Sequence, residues 1–244
     1  MFPIKDSVPS YHTPVALYAL LLANILVFVF EISLGEDGIK AFFHDFGFTP
    51  RRLTAFFRGE SADIRVWMTL LTSLFLHGGL AHLIGNMWTL WIFGDNVEDR
   101  MGALRFLVFY VLCGILASLV HWVYNPLSNV PSVGASGAIS GVLGTYFLLY
   151  PLARIIVLVP IFFWPFFFDV PAMFYLIVWF FGQIIGAQMA PQGPNVGGIA
   201  FAAHIGGFVT GLLLMPFFLR HGKKHYTPPL GVDTAWFFHD SREK

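Results

Sequence analysis

The sequence predicts an all-α membrane protein, a bundle of six transmembrane helices with a first loop lying at the membrane interface. Three observations carry that reading. The 244 residues are 57% hydrophobic and only 11% charged, whereas soluble domains run nearer a quarter charged and under half apolar. Aromatic residues make up 18% of the chain, 28 of them Phe, more than a water-soluble core of this length uses. Six apolar segments also fit helices that cross a hydrocarbon core, which takes about 20 residues each.

Taken in order, the first segment covers residues 15–34 and carries Asn24 and Glu31, read as structural hydrogen-bonders, behind an N-terminal tail of residues 1–13. It ends without a small-residue cleavage site, so it reads as a retained span and not a signal peptide. The stretch from Gly35 to Ser73 mixes Arg51 and Arg52 with Phe56, Phe57 and Trp67, a composition suited to the interface. The remaining spans are expected at residues 80–93, 104–123, 134–150, 170–187 and 198–219. Residues 155–168 are apolar but broken by Pro160 and Pro165 and too short to span, so they read as re-entrant or interfacial. The segment from 220 to 244 is a polar tail. The single cysteine, Cys113, rules out an intramolecular disulfide.

With an even number of spans both termini share one side. That side collects Lys5, Arg100, Arg105, Arg154, Arg220, Lys223, Lys224, Arg242 and Lys244, against Lys40, Arg51, Arg52, Arg58 and Arg65 opposite. The bias places the termini in the cytoplasm. A formal net charge of zero gives no footprint for nucleic acid.

Polar side chains within spans are costly and mark function or helix pairing. His82 and Asn86 are four apart and share a face of the second span. Ser136 opens the fourth span in VGASGAISGVLG, and His204 lies in the sixth in AFAAHIGGFVTG. These three spans run inward from the same side, which puts all four residues roughly 4 to 12 Å below its surface at ~1.5 Å per residue. Gly137, Gly141 and Gly144 with Ser140 leave one side of the fourth span nearly bare, and Gly207 and Gly211 form a small-xxx-small ridge after His204. Surfaces of that kind let two backbones approach closely in lipid. A serine within ~3 Å of a histidine is the minimum kit for covalent acyl transfer.

Each residue has a plainer reading. A serine among glycines packs helices, a lone intramembrane histidine ties one helix to another, and His82 with Asn86 could do the same. Their shared depth favours a site. His77 reads as a support for the loop at the membrane edge, and His121 as interfacial. On one helix His77 and His82 would lie ~140° apart and could not share a metal. No HExxH is present, and Asp169 has no intramembrane aspartate partner. No metal or cofactor is expected, and serine with histidine is the hydrolytic kit that remains.

Over residues 14–219 the sequence resembles the rhomboid proteases. FLHGGLAHLIGN is similar to the family's second-helix HxxxN, GASG at Gly134 to Gly137 to its GxSG, and AHIGGFVTG to its sixth-helix AHxxGxxxG. FGDNVEDRMG also resembles a family stretch after the second helix. The resemblance implies a rhomboid-type six-helix bundle with a water-filled cavity opening outward and an intramembrane serine endopeptidase working through a Ser-His dyad. Ser136 would be the nucleophile and His204 the base, with the oxyanion held by the Ser136 N–H, His82 and Asn86. Gly134, Gly137, Gly141, Gly207 and Gly211 would pack the helices around them. Substrates would be transmembrane proteins, and the setting a multi-pass position in a prokaryotic inner membrane. Two positions depart from the common pattern: Trp67-Met68 stands for Trp-Arg, and Ser140 stands where many relatives carry an aromatic that stacks on the base. The alternatives are an inactive rhomboid-like protein that binds membrane-protein clients, whose mark would be loss of Ser136 or His204, and a transporter, whose mark would be symmetric broken helices.

Overall fold

The computed structural model describes residues 2–191 and 193–220, so all of the expected tail beyond Arg220, with four of the cations counted above, lies outside the described residues. Its frame is a helical bundle. Helices α1 (Val15–Ser33), α6 (Ala103–Tyr124), α8 (Ala172–Met189) and α9 (Phe201–Phe218) are each long and apolar enough to cross a membrane. A fifth candidate is the pair formed by α4 (Val66–Thr72), continued by a 3-10 turn to Phe75, and α5 (Leu80–Met101), bent by 80° at the break. Helix α7 (Ser136–Leu149) has only 14 residues, about 21 Å at 1.5 Å per residue, short of the ~30 Å hydrocarbon core. It does not have to meet lipid, because 11 of its residues are buried among the other helices. Its apolar, glycine-rich sequence has no polar face to offer, which is the pattern of a helix enclosed on all sides.

Helix α5 runs two turns further than the 80–93 expected from hydropathy. Nothing breaks it before Gly102, whose φ of 78° ends it, and the polar residues of its last turns have partners. The Glu98 carboxylate accepts the backbone N–H groups of Ala16 at 3.0 Å and Leu17 at 2.7 Å. A carboxylate there satisfies orphan donors and complements the helix dipole at the start of α1. Asp99 accepts the N–H of His12 at 3.0 Å, and Asn96 Nδ2 donates to the Val8 carbonyl at 3.1 Å. The FGDNVEDRMG stretch therefore ties the N-terminal segment to the bundle. At the same end the Arg220 N–H donates to the Arg100 carbonyl at 2.9 Å, and Arg105 Nη1 to the Leu219 carbonyl at 3.1 Å.

The first loop folds as α2 (Gly35–Phe46), α3 (Pro50–Phe57) and then α4. Phe56, Phe57 and Trp67 pack edge to face with ring centroids 5.7 to 6.1 Å apart, and Phe57 stacks on Trp122 of α6 at 5.4 Å. Asp63 is held between Arg52 at 3.0 Å and Arg65 at 2.8 Å, and these two guanidiniums keep its carboxyl well below the usual carboxylate range.

A small sheet accompanies the helices. Residues read as re-entrant or interfacial form an antiparallel hairpin of β2 (Arg154–Ile161) and β3 (Trp164–Pro171), and β1 (Phe2–Asp6), from the segment expected to be an N-terminal tail, adds to it in the order β1-β2-β3. Pro160 and Pro165, which would disrupt a helix, face each other across the hairpin. Ile155 and Val157 are buried while Ile156 between them is exposed, the alternation of a strand with one covered face.

Candidate active site

The beginnings of α5, α7 and α9 open onto one cavity of about 570 Å³, with His82, Asn86, Ser136, Gly137 and His204 in its wall. Glycine makes their convergence possible. A Cβ added to Gly207 of α9 would collide with the Gly137 carbonyl of α7, and one on Gly211 with the Gly141 carbonyl. A Cβ on Gly141 would collide with Cys113 Sγ and lie 3.3 Å from the Gly207 carbonyl oxygen. Backbones packed this closely leave no room for side chains. Across that seam His204 Nε2 lies 2.8 Å from Ser136 Oγ, although 67 residues separate the two in sequence.

The other imidazole nitrogen is also engaged. His204 Nδ1 lies 2.7 Å from Gln183 Oε1 of α8, and the Gln183 amide donates from Nε2 to the Trp179 carbonyl at 3.3 Å. The Trp179 ring stands 6.2 Å from the imidazole, tilted by 31°. Ser140, one turn after Ser136, turns its hydroxyl back onto the Ser136 carbonyl at 2.7 Å and does not reach His204.

Helix α5 supplies the opposite wall. Gly134 has a φ of 127°, and a Cβ there would meet His82 Cε1 at 2.7 Å, His82 Nε2 at 2.8 Å and Asn86 Nδ2 at 3.5 Å. The His82 ring thus fills the space a side chain on Gly134 would need, with Asn86 beside it. Ser136 is the first residue of α7, so its N–H has no acceptor within the helix. One backbone donor and two side chains with N–H groups converge beside a hydroxyl that touches an imidazole. A hydroxyl, an imidazole and N–H donors in one cleft are the kinds of group that nucleophilic acyl transfer uses.

His77 belongs to this wall. It is only 1% exposed, its Nε2 lies 3.0 Å from Asn86 Nδ2, and its ring centroid is 5.1 Å from that of His82. Its backbone N–H donates to the Glu31 carboxylate at 3.2 Å. The helical-angle argument that separated His77 from His82 assumed one helix, whereas α5 begins only at Leu80. Among the described residues no three His, Cys, Asp or Glu side chains gather as a metal-holding group. Gln183 and Trp179 were missed in the sequence. The signal was a polar residue inside the span expected at residues 170–187.

Comparison with known proteins decides the family. The Rhomboid domain model matches residues 65–221. The chain belongs to the rhomboid family. Among its relatives, the Bacillus subtilis rhomboid protease GluP is 39% identical over 138 residues, covering 56% of this chain and 24% of GluP. Rhomboid protein 1, mitochondrial, of Saccharomyces cerevisiae is 30% identical over 174 residues, 70% of this chain and 47% of the yeast protein. The putative rhomboid protease YdcA of Bacillus subtilis is 39% identical over 83 residues, 34% of this chain and 41% of YdcA. The chain thus spans less than half the length of these curated relatives. It is a multi-pass membrane protein of the rhomboid type. Its relatives include mitochondrial and chloroplast proteins as well as bacterial ones, so the match alone points to no single kind of membrane.

Proposed function

We propose that this rhomboid is an intramembrane serine endopeptidase with Ser136 as nucleophile and His204 as general base. The observation that carries the reading is the 2.8 Å contact between Ser136 Oγ and His204 Nε2, made between two helices at the wall of a cavity. In the reaction Ser136 Oγ attacks the scissile carbonyl while its proton passes to His204 Nε2. The resulting oxyanion accepts hydrogen bonds from the Ser136 N–H, His82 and Asn86, donors fixed in advance where charge develops. The intermediate expels the amine, which takes the proton from His204. Water, activated by the same imidazole, then hydrolyses the acyl-serine and restores the enzyme.

The six-span count follows if the bent pair ending in α5 and the short α7 each serve as one crossing. The cations around Arg100, Arg105, Arg154 and Arg220 then mark the cytoplasmic side, and the cavity opens outward. We place the protein in a prokaryotic inner membrane. Its substrates are single-pass proteins cut near the outer end of their span, at small residues, because the glycine-lined start of α7 leaves little room beside Ser136. A helical peptide bond is shielded, and each freed backbone group costs several kcal/mol in lipid, so Gly or Pro near the cut assists.

The test is a panel of single-pass reporters in proteoliposomes. The wild type should cut at least one of them, Ser136→Ala none, and replacing the reporter's helix-weakening Gly or Pro with Leu should lower cleavage steeply. A wild type that binds reporters but cuts none identifies an inactive client-binding rhomboid and overturns the proposal. Cleavage indifferent to those Leu replacements overturns the helix-opening account.

A further inference from the structure

We infer that Gln183 is a positioning residue for His204, a neutral third member that selects the imidazole tautomer. The inference rests on the proposed role of His204 as base. The argument is one of donors and acceptors. The Trp179 carbonyl only accepts, so the Gln183 group 3.3 Å from it must be the NH₂. That fixes the amide orientation and turns Oε1, which also only accepts, toward His204 Nδ1 at 2.7 Å. Nδ1 therefore carries the proton. In a neutral imidazole the lone pair then falls on Nε2, facing Ser136 Oγ at 2.8 Å. The opposite tautomer would place a donor against the hydroxyl and leave no base.

A plain helix-to-helix tie would account for one hydrogen bond between α8 and α9. It would not account for a contact that lands on the one ring atom controlling the tautomer while its other end is anchored to its own helix. The position of Ser140 adds to this. Its hydroxyl is spent on the Ser136 carbonyl, so α7 supplies no ring to hold the imidazole, and the support comes from α8. Trp179 and Gln183 are four apart and share one helix face, with the Trp179 ring 6.2 Å from the imidazole and Gln183 at its edge. An amide also suits the setting. It accepts the Nδ1 proton as a carboxylate would, without placing a charge in a low-dielectric interior.

The experiment follows the rate of covalent labelling of Ser136 by a fluorophosphonate in detergent, with wild type, Gln183→Leu and Gln183→Glu. It is paired with ¹⁵N NMR of histidine-labelled protein, in which the His204 signals are assigned by difference from His204→Gln. Removing the acceptor in Gln183→Leu should lower the maximal labelling rate roughly 10- to 100-fold at unchanged reagent affinity, a smaller loss than that from a wrong tautomer beside a charged partner. Gln183→Glu keeps the acceptor only when ionised, so its labelling rate should recover toward the wild-type value as pH rises and the carboxyl loses its proton. The wild-type spectrum should report the Nδ1–H tautomer, and Gln183→Leu a mixture or the Nε2–H form. A role confined to helix packing would lower thermal stability and leave the tautomer alone. Gln183→Leu labelling at the wild-type rate, or retaining the Nδ1–H tautomer, overturns the inference. Failure of the wild type to label at Ser136 would instead overturn the proposed activity, so the two failures are distinguishable.

Discussion

Replacing Gly207 with alanine tests how the site is assembled. The new Cβ would collide with the carbonyl oxygen of Gly137 and sit 3.1 Å from Ser140 Cβ. The first obstacle is backbone, so no rotamer change relieves it, and α7 and α9 must separate by roughly 1 Å to restore van der Waals contact. His204 and Ser136 lie on the two helices being pushed apart. Their 2.8 Å contact would lengthen beyond the ~2.5–3.2 Å range of useful hydrogen bonds. Overpacking of this kind costs about 1–3 kcal/mol of stability, which leaves most bundles folded, whereas a 1 Å misplacement of reacting groups costs about 10²-fold in rate. Gly182 is the control, because a Cβ there meets nothing within 4 Å. We expect fluorophosphonate labelling of Gly207→Ala to slow about 100-fold or more with only a modest drop in melting temperature, and Gly182→Ala to label like the wild type. Wild-type labelling by Gly207→Ala would refute the claim that glycine contact between α7 and α9 sets the distance from serine to base.

Three further outcomes follow from the same geometry. Ser136→Ala should abolish cleavage by a factor on the order of 10⁴ or more, whereas Ser140→Ala, which removes only a hydroxyl bonded back to the Ser136 carbonyl, should keep much of it; equal losses would contradict the assignment of the nucleophile. His82→Ala and Asn86→Ala should each slow acylation by ~10² to 10³, less than His204→Ala, as read from single-turnover labelling. Burial raises the Asp6 carboxyl to about 6 despite the hydrogen bond from Tyr146, so the folded state holds that proton more tightly than the unfolded one. Its stabilising contribution is complete below pH 3.8 and is lost as pH rises through about 6. Asp6→Asn should flatten the pH dependence of melting across that window, and an unchanged slope would show that Asp6 does not titrate there.

The residues of the cavity wall were legible because each is a polar interruption in an apolar run: His82 and Asn86 one turn apart, Ser136 among glycines, His204 before Gly207. The hairpin was not. Strand β2 buries Ile155 and Val157 but also carries Ile156 on its other face, so the sequence shows no polar alternation and reads as a short apolar segment. Only the proline pair at 160 and 165 argued against a helix. The contact of His77 with Asn86 was not legible, because the bend before Leu80 brings His77 back over Asn86, and a bend of 80° leaves no periodic trace. Gln183 carries no charge, and its partner depends on how α8 lies against α9, which a single span cannot reveal.

The most direct test of the account is to react the purified protein, in lipid nanodiscs, with a fluorophosphonate and to locate the adduct by peptide mass spectrometry. The account predicts one adduct, on Ser136, formed by the wild type and Gly182→Ala and lost in His204→Ala. An adduct on another residue, or labelling of Ser136 that proceeds undiminished without His204, would contradict it.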